Sequence, residues 1–478
     1  MKKTLACICC AALVISAAAG NLTALAAETE VTPAGAAVEI QSSGETLDSQ
    51  GITYDLKKGY DGNNTARVTG FSQKVYAALG NPNYNTDHKL TIPSEVEGND
   101  GTKYTVTEIS MEDSIYHISW KDGKDALTFE TVIIPKTVKS IGYNSFEEIK
   151  SLKYVDIEKG SQLTKIPDSC FESCTNLIRV GVGSTGKLPE GICDLGDCAF
   201  CGCESLKSFI LPASISYIDD GCFRNCTSLE SVVFETYKSG ENKGKSDLVK
   251  LGYMIVFADG GVFENCTSLK KVVLPNSKGY EIGERCFRNT AIETIEIPNC
   301  VTQIGQQAFE NTPLKGINLP ESCTKVGEYA FANTKLNENG LKTPDGKAYG
   351  IAFVCKTVEI NKKAFNLTDG EGKPTGEQLK TTIAGYDNSN AHSYAIENDM
   401  KFVSLGDWDP CKITYHGDID DDGQTGQQDV ARLTQYVNGW KDIQINVDAC
   451  DVNGDGAVNL LDVARLKQYV NGWDVPIY

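Results

Sequence analysis

The stretch Ile297-Pro-Asn-Cys-Val-Thr-Gln-Ile-Gly-Gln-Gln-Ala-Phe309 recurs 22 residues later as Leu319-Pro-Glu-Ser-Cys-Thr-Lys-Val-Gly-Glu-Tyr-Ala-Phe331. Both stretches start with an aliphatic residue and Pro, carry an aliphatic residue and Gly in the middle, and end in Ala-Phe. Working outward in both directions, related units place one Phe each at Phe146, Phe171, Phe200, Phe223, Phe263, Phe287, Phe309, Phe331 and Phe365. A basal period of 22 to 25 residues, lengthened in some units, predicts a solenoid of stacked repeats.

Each unit also carries aliphatic residues at regular positions. The residue five places before each Phe is aliphatic or a near equivalent: Ile141, Ile166, Leu195, Ile218, Ala258, Ile282, Ile304, Val326 and Ile360. After most of the Phe residues comes an alternating run typical of a strand, which a Pro often ends, as in Leu269-Lys-Lys-Val-Val-Leu-Pro275. We therefore predict a short strand, a turn and a tight helical turn in each unit, with the Phe and aliphatic side chains forming ladders inside the stack.

The consensus I-P-x-x-V-x-x-I-G-x-x-A-F-x-x-C/T-x-L-x-x-V-x-I-P resembles the BspA-like leucine-rich repeat family over about residues 104–403. The resemblance implies an α+β fold class, with a leucine-rich-repeat-type solenoid of short strands and short helical turns. Members of this family are secreted or surface binding proteins, often adhesins, and they share no common ligand. Three insertions break the period, at about 181–193, 235–257 and 337–352. Such insertions form either binding loops or plain surface loops.

The chain has 18 cysteines, and many of them flank the phenylalanines. The positions one before and three after a Phe hold Cys in some units and Ala or Thr in others. A position that accepts all three residue types requires a small buried side chain, so we expect most of these thiols to be free core thiols. An alternative for one group is a zinc site, although no His lies near it. That group is Cys193, Cys198, Cys201 and Cys203.

The beginning of the chain has the features of a targeting segment. A positive start at Lys2 and Lys3 precedes an uncharged apolar run and the small-residue triplet Ala24-Leu25-Ala26. This order is typical of a signal peptide cleaved near residues 26–27, and it predicts secretion. No later stretch reaches the roughly 18 apolar residues that a membrane span needs, so we expect none.

Two segments at the end of the chain repeat at an offset of 33 residues. They begin Asp418-Ile-Asp-Asp-Asp-Gly-Gln-Thr-Gly-Gln-Gln-Asp429 and Asp451-Val-Asn-Gly-Asp-Gly-Ala-Val-Asn-Leu-Leu-Asp462. Oxygen side chains at loop positions 1, 3, 5 and 12, with Gly at 6, match the spacing of EF-hand calcium loops, although position 12 is Asp and not Glu. Apolar residues at helical spacing follow each loop, and they predict a helix that Asn-Gly ends.

A pair of loop-helix units with Asp at position 12 resembles a type I dockerin module, here over residues 417–478. The resemblance implies a small all-α domain that binds two Ca²⁺ ions. The implied ligands are Asp418, Asp420, Asp422, Gln424 and Asp429 in the first loop, and Asp451, Asn453, Asp455, Ala457 and Asp462 in the second. Gln424 and Ala457 would contribute backbone carbonyls.

The same resemblance implies a cohesin module of a scaffoldin protein as the partner. Loop positions 10 and 11, which set partner choice, are Gln427, Gln428, Leu460 and Leu461, and the helix positions expected at the contact are Arg432, Thr434, Arg465 and Lys467. Studied dockerins favour Ser or Thr at the loop positions, so we expect a different cohesin class here. The contrast between a polar and an apolar pair weighs against a symmetric dual binding mode.

The charge balance limits the partners. Lys and Arg number 45 against 64 Asp and Glu, a formal net charge of -19, which excludes ordinary nucleic-acid binding and attraction to anionic lipid. The tail 417–478 contains 11 Asp, no Glu and four Lys or Arg. Because these carboxylates repel one another without a cation, we expect calcium binding to be coupled to folding of the tail.

The sequence thus predicts six consecutive parts. These are a signal peptide (1–27), a flexible leader (28–50), a strand-rich N-terminal cap (51–110), the repeat solenoid (111–406), a linker (407–416) and the dockerin (417–478).

We predict a non-catalytic function, because this organisation leaves too little chain for an ordinary catalytic domain and no HExxH, GxSxG or Walker motif occurs. The main hypothesis is a secreted component of a polysaccharide-degrading complex, whose solenoid binds polysaccharide or a host or cell-surface protein. The alternatives are an enzyme with an unrecognised site on the solenoid, and an inhibitor or regulator of a secreted protein.

Overall fold

The computed structural model describes the chain in segments. They are residues 45–49, 52–59, 62–71, 88–111, 129–240, 242–253, 260–336, 340–343, 346–369, 372–407, 417, 419, 425–440, 445, 449–453 and 457–471. The predicted signal peptide, most of the predicted leader and residues 408–416 of the predicted linker lie outside the described residues.

The first described region is rich in strands. Its strands are β1 Glu45–Ser49, β2 Ile52–Lys57, β3 Thr65–Phe71, β4 Lys89–Thr91, β5 Glu95–Glu97 and β6 Lys103–Ile109. Strands β1, β2 and β3 pair antiparallel in chain order, and β6 joins β3 in parallel and β5 antiparallel. The alternation of β2 and β6 buries Tyr54, Tyr104 and Val106 on one side.

Strand β1 corrects the predicted boundary of the leader. We predicted a flexible leader up to residue 50, because this stretch shows no clear periodicity. The structure instead pairs β1 with β2 along its whole length, from Glu45 opposite Leu56 to Ser49 opposite Ile52. The neighbouring strand supplies the backbone hydrogen bonds that order this stretch, and the composition of β1 alone carries no sign of that pairing.

The repeats alternate longer and shorter strands. The strands are β7 Thr131–Ile134, β8 Ser140–Ile141, β9 Tyr154–Ile157, β10 Lys165–Ile166, β11 Arg179–Val182, β12 Asp194–Leu195, β13 Ser208–Leu211, β14 Tyr217–Ile218, β15 Ser231–Phe234, β16 Lys250–Leu251, β17 Lys271–Val273, β18 Tyr280–Ile282, β19 Val301–Ile304, β20 Ile317–Leu319, β21 Lys325–Val326, β22 Leu341–Lys342, β23 Ala348–Tyr349, β24 Ile351–Phe353, β25 Glu359–Ile360, β26 Asn366–Thr368, β27 Pro374–Gln378, β28 Thr382–Asp387 and β29 Lys401–Asp407. Helix α1, Asn390–Glu397, lies between β28 and β29.

Stacking of equivalent strands produces parallel sheets along the array. The short strands form one eight-stranded sheet in the order β10-β12-β14-β16-β18-β19-β21-β25. The longer strands form three further sheets, β4-β7-β9-β11, β13-β15-β17 and β20-β24-β28-β29. Within each of these four sheets, neighbouring strands are counterparts from successive repeats and pair in parallel, as in a leucine-rich-repeat solenoid. The predicted fold class is therefore confirmed.

A ladder of phenylalanine rings forms the centre of the array. All nine predicted ladder residues, from Phe146 to Phe365, are fully buried. Successive rings stack with centroid distances of 5.3 to 5.8 Å and interplanar angles of 5° to 23°. Tyr394 of α1 ends the ladder, with its ring centroid 5.9 Å from that of Phe365.

The small positions beside the ladder hold buried, free thiols, as predicted. Those with no exposed surface are Cys170, Cys174, Cys203, Cys222, Cys226, Cys266 and Cys286. The thiol of Cys174 donates to the carbonyl of Phe146 at 3.0 Å, one repeat earlier, and burial raises the pKa of this thiol. Where Thr replaces Cys, its hydroxyl instead donates within its own repeat, as from Thr290 to Phe287 at 2.9 Å. Both groups therefore satisfy their polar atoms inside the core.

One predicted aliphatic position is wrong, and it lies in the longest interval between ladder residues. We predicted Ala258 as the aliphatic residue of its unit, because it stands five residues before Phe263. That assignment is wrong: Leu251 of β16 occupies the register position between Ile218 and Ile282. The additional residues lie between the strand and the Phe turn, where a fixed spacing misplaces the strand. Ala258 itself lies outside the described residues.

A second ladder, made of asparagine amides, runs beside the phenylalanines. Its members stand two positions after the Phe of five successive repeats: Asn225, Asn265, Asn289, Asn311 and Asn333. Each side-chain amide donates to the amide oxygen of the preceding member at 2.7 to 2.9 Å. All five have φ between 56° and 62°, the left-handed region that Asn tolerates better than most residues. Backbone geometry and amide pairing therefore both favour Asn at this position.

We predict that replacing Asn289, the middle member, separates these two contributions. N289G removes the amide but keeps a residue that accepts positive φ, so the free energy of unfolding falls by about 1–2 kcal/mol. N289A adds left-handed strain of roughly 1 kcal/mol. Urea unfolding of the full chain measures both effects, with N299A at an exposed Asn outside the ladder as the control. Equal stability of N289G and the wild type would contradict a contribution from the amide.

Candidate functional site

The C-terminal region contains two matched helices, α2 (Gln427–Val437) and α3 (Leu460–Val470). Both end just before Asn-Gly, as predicted, but they begin at loop position 10, inside the loops that we predicted to end at Asp429 and Asp462. Residues 33 apart have equivalent surroundings, so Leu433 and Leu466 are both fully buried. They belong to one small hydrophobic cluster whose buried members are Ile419, Leu433, Ala449, Cys450, Val452 and Leu466. This core brings the two units together.

The aspartate at position 12 of the first loop is buried and organises that loop. Asp429 is 1% exposed. One carboxylate oxygen, Oδ1, accepts the N–H of Ile419 at 2.6 Å, and the other, Oδ2, accepts the N–H of Gly426 at 2.6 Å. Asp429 therefore ties the start of the loop to the start of the helix through its own side chain.

The second unit repeats this arrangement. Asp462 has no exposed surface, and its Oδ1 and Oδ2 accept the N–H groups of Asn453 at 3.1 Å and Asn459 at 2.7 Å. Asn459 adds an N-cap, because its side-chain oxygen accepts the N–H of Leu461 at 2.8 Å. Its amide also donates to the carbonyl of Ala457 at 2.9 Å. The sequence analysis missed Asn459, although its place at loop position 9 could have indicated it.

The structure describes five of the ten predicted metal ligands. Asp429, Asp451, Asn453, Ala457 and Asp462 lie in the described loops, with Asp451 and Asn453 half-buried. Asp418, Asp420, Asp422, Gln424 and Asp455 lie outside the described residues. Carboxylates and carbonyls of this kind are the hard oxygen donors that Ca²⁺ prefers, so the donor set fits the ion. A buried carboxylate at the end of each loop also favours a nearby cation.

The predicted partner-contact positions lie on exposed or half-buried parts of the helices. Leu460 and Leu461 are 62% and 63% exposed, although both are large apolar residues. Arg465 and Lys467 follow four positions after Leu461 and seven after Leu460, and these spacings place each pair on a shared helix face. Helix α3 thus offers an apolar start followed by two cationic residues.

The equivalent face of α2 is polar. Gln427 and Gln428 are exposed, and Gln427 donates to the side chain of Asn471 at 3.3 Å. Arg432 is half-buried, as Arg465 is. The hydroxyl of Thr434 donates to the carbonyl of Val430 at 2.5 Å, within its own helix. The two units therefore share one backbone plan but present different surfaces.

Aromatic residues at the helix ends enlarge the exposed surface, and the sequence analysis did not single them out. Tyr436, Trp440 and Tyr469 are 38%, 63% and 40% exposed. The repeated run Tyr-Val-Asn-Gly-Trp was the signal available in the sequence. Exposed aromatic residues are typical of protein-binding surfaces.

Two insertions of the solenoid lie in contact. The ammonium of Lys187, in the first insertion, lies 2.6 Å from a carboxylate oxygen of Glu235 at the start of the second. The second insertion is also ordered internally, because the hydroxyl of Tyr237 donates to Asp247 at 2.5 Å. The described parts of these insertions therefore form one structured surface.

The four cysteines that we considered as an alternative zinc site are not brought together. The thiol of Cys193 donates to Thr164 at 3.4 Å and that of Cys203 to Phe171 at 3.2 Å, both main-chain carbonyls. Only Cys198 and Cys201 join a common group, and its third member is Glu172. This agrees with the expected free thiols, since Cys203 lies in a fully buried core position of the repeat.

Two family models match the chain. The model described as a BspA type leucine-rich repeat region matches six copies over residues 102–186, 183–243 and 258–346. The model described as a dockerin type I domain matches residues 416–471, which include both loop-helix units. Dockerin domains of this type bind calcium and have cohesin modules as partners, and leucine-rich repeats are binding repeats.

Several solved structures are similar to the chain. A leucine-rich repeat protein from Bacteroides ovatus is 21% identical, with 76% of this chain and 78% of that chain covered and a TM-score of 0.46. A leucine-rich cell surface protein from Faecalibacterium prausnitzii is 20% identical, covers 77% of this chain and 96% of its own, and has a TM-score of 0.35. A T. pallidum leucine-rich repeat protein is 21% identical, with 51% and 89% covered and a TM-score of 0.35.

The comparison with curated proteins gave no match. Among the described residues, no helix has the length and apolar character needed to cross a membrane.

We predict that D462A loosens the second unit. The substitution leaves the N–H groups of Asn453 and Asn459 without their acceptor, which costs about 2 kcal/mol, or roughly 30-fold in the local opening equilibrium. Hydrogen exchange of the full chain with calcium present measures this as faster exchange over residues 457–471. Residues 300–332 in the solenoid are the internal control. Unchanged exchange over 457–471 would contradict an organising role for Asp462.

Proposed function

This chain is a BspA-type leucine-rich repeat protein with a C-terminal type I dockerin domain, and from this combination we propose that it is a secreted, non-catalytic binding subunit of a cohesin-assembled complex. Dockerin domains attach proteins to cohesins, and proteins that contain them are typically extracellular. The observation that carries the proposal is the pair of loop-helix units, each with a buried aspartate holding its loop. In this proposal, the dockerin attaches the chain to a scaffoldin, and the solenoid binds the ligand.

The proposed calcium sites follow the two loops, with one ion in each. The first ion is held by Asp418, Asp420, Asp422, the carbonyl of Gln424 and Asp429, and the second by Asp451, Asn453, Asp455, the carbonyl of Ala457 and Asp462. Burial of both position-12 aspartates supports this assignment, because a cation at each loop offsets the cost of burying their charge. Gly426 at position 9 of the first loop leaves room for a water ligand.

The proposed cohesin surface is centred on α3. Two exposed leucines at the start of this helix would bury apolar area on binding, and Arg465 and Lys467 would pair with acidic groups of the cohesin. The equivalent positions on α2 carry Gln427 and Gln428, which bury less apolar area. We therefore propose a single dominant orientation of the dockerin on its partner.

The proposed role of the solenoid is ligand binding in polysaccharide degradation. Its interior is filled by stacked rings, so a ligand must bind on its outside. The structured surface formed by the Lys187 and Glu235 insertions is our choice for that contact, because loops of a rigid array position binding groups without disturbing its core. The ion pair between the two insertions supports this choice, since it limits the motion of the loops.

We predict that exchanging the loop pairs reveals the single orientation. L460Q/L461Q should weaken binding to a cohesin from the same organism by about 100-fold, because the apolar area of two leucine side chains is no longer buried at the interface. Q427L/Q428L, the matched control on the other helix, should change affinity less than about threefold. Calorimetric titration in calcium buffer measures both. Similar losses in both variants would instead indicate two equivalent orientations.

We predict that the full chain binds an insoluble plant polysaccharide without cleaving it. The measurement scores bound protein and released reducing sugar in the same tubes. Retention without sugar release is expected, since we propose a binding surface and no catalytic site. Sugar release would overturn the non-catalytic proposal. The absence of both retention and release would overturn the polysaccharide ligand and favour a protein ligand.

A further inference from the structure

Cys198 and Cys201 occupy a different position from the core thiols. They stand two residues before and one after Phe200, and in most other repeats these two positions hold polar or charged residues. Two such pairs contact each other through their side chains, Asn144 with Glu147 and Gln307 with Glu310, in both cases at 2.7 Å. The two cysteines therefore lie in a polar ladder of the solenoid and not in its apolar one.

The backbone holds these two thiols close together. The N–H of Cys201 donates to the carbonyl of Cys198 at 2.9 Å, which closes a four-residue turn. The Cα atoms at the ends of such a turn are less than about 7 Å apart, and disulfides need about 4.4–6.8 Å. Both sulfur atoms and a carboxylate oxygen of Glu172 lie within 4.8 Å of one another. A disulfide between the two cysteines thus requires little more than side-chain rotation.

The surrounding charges give the two thiols different reactivities. Contact with Cys198 and the nearby guanidinium of Arg224 lower the pKa of Cys201. Contact with Cys201 and, as a smaller effect, burial raise the pKa of Cys198. Cys201 is therefore the thiol that loses its proton first, and the thiolate is the form that reacts.

Limited access separates this pair from the core thiols. Cys198 and Cys201 are 6% and 5% exposed, whereas Cys226 and Cys266, a second pair of neighbouring thiols, have no exposed surface. A small oxidant reaches a slightly exposed residue more easily than a fully buried one. The positive charge of Arg224 also weighs against a divalent metal ion beside Cys201.

We propose that Cys198 and Cys201 form a reversibly oxidisable dithiol, a covalent modification site for small peroxides. The Cys201 thiolate attacks one oxygen of hydrogen peroxide, which breaks the O–O bond and leaves Cys201 as a sulfenic acid. The hydroxide released takes up a proton to form water. The Cys198 thiol then attacks the Cys201 sulfur, and a second water leaves as the S–S bond forms. Two thiols are oxidised by two electrons, one peroxide is reduced to two waters, and a thiol reductant reverses the reaction.

The test oxidises the folded full chain with hydrogen peroxide in calcium buffer, unfolds it in denaturant so that buried thiols can be alkylated, and digests it with trypsin. The peptide 188–207 contains four cysteines. We expect the oxidised peptide to carry two alkyl groups instead of four, with an S–S bond in place of the missing two and alkylation retained at Cys193 and Cys203. Treatment with dithiothreitol before alkylation should restore all four alkyl groups. C201S should abolish this disulfide, and C193S, the matched control in the same peptide, should leave it unchanged.

Three outcomes would overturn the proposal. The first is a peptide that stays fully alkylated after peroxide treatment of the wild type. The second is a disulfide involving Cys193 or Cys203, or equally fast oxidation of Cys226 and Cys266. Either result would show that oxidation does not depend on the place of Cys198 and Cys201 in the polar ladder. The third is a zinc ion that stays with the untreated protein through desalting and is lost in C201S, because the pair would then be a metal site.

Discussion

In most repeats of the solenoid, the N–H of the ladder phenylalanine donates to a carbonyl in the next repeat. The hydrogen bond from Phe223 to Val262 and that from Phe263 to Cys286 are both 2.8 Å long. The phenylalanine N–H of one repeat therefore lacks its acceptor until the next repeat has folded against it. The acceptor in these bonds is always the carbonyl of the residue just before the next phenylalanine. The side chain of that residue is fully buried, which explains why the position holds only small or β-branched residues.

The two regions of the chain are stabilised by different interactions. The solenoid relies on ring stacking, amide pairing and buried area that grows with each added repeat. In the described part of the dockerin, the hydrophobic cluster contains six buried residues, and the segment as a whole carries many carboxylates. We propose that a core of that size needs bound calcium in the two loops for its stability. Under this proposal, attachment to the partner depends on calcium, whereas folding of the solenoid does not.

The sequence predicted what depends on a regular spacing. The Phe ladder, the free core thiols and the two loop-helix units each recur at fixed intervals in the sequence. Their residue types are characteristic of few other structures. The position of Leu251 escaped prediction because an insertion separated it from Phe263, and β1 escaped because its order comes from a neighbouring strand. The five asparagines occupy equivalent positions in the sequence. Predicting their amide contacts also requires the distance between adjacent repeats, which only the structure gives.

The most direct test of the account measures capture of the full chain by an immobilised cohesin from a scaffoldin of the same organism, with calcium and with a chelator. We expect capture only with calcium, and none by the double variant D418A/D451A, which removes the first proposed ligand of each loop. The solenoid of this variant should keep its thermal unfolding transition. Capture that survives the chelator, or equal capture of the double variant, would contradict calcium-dependent attachment through these loops.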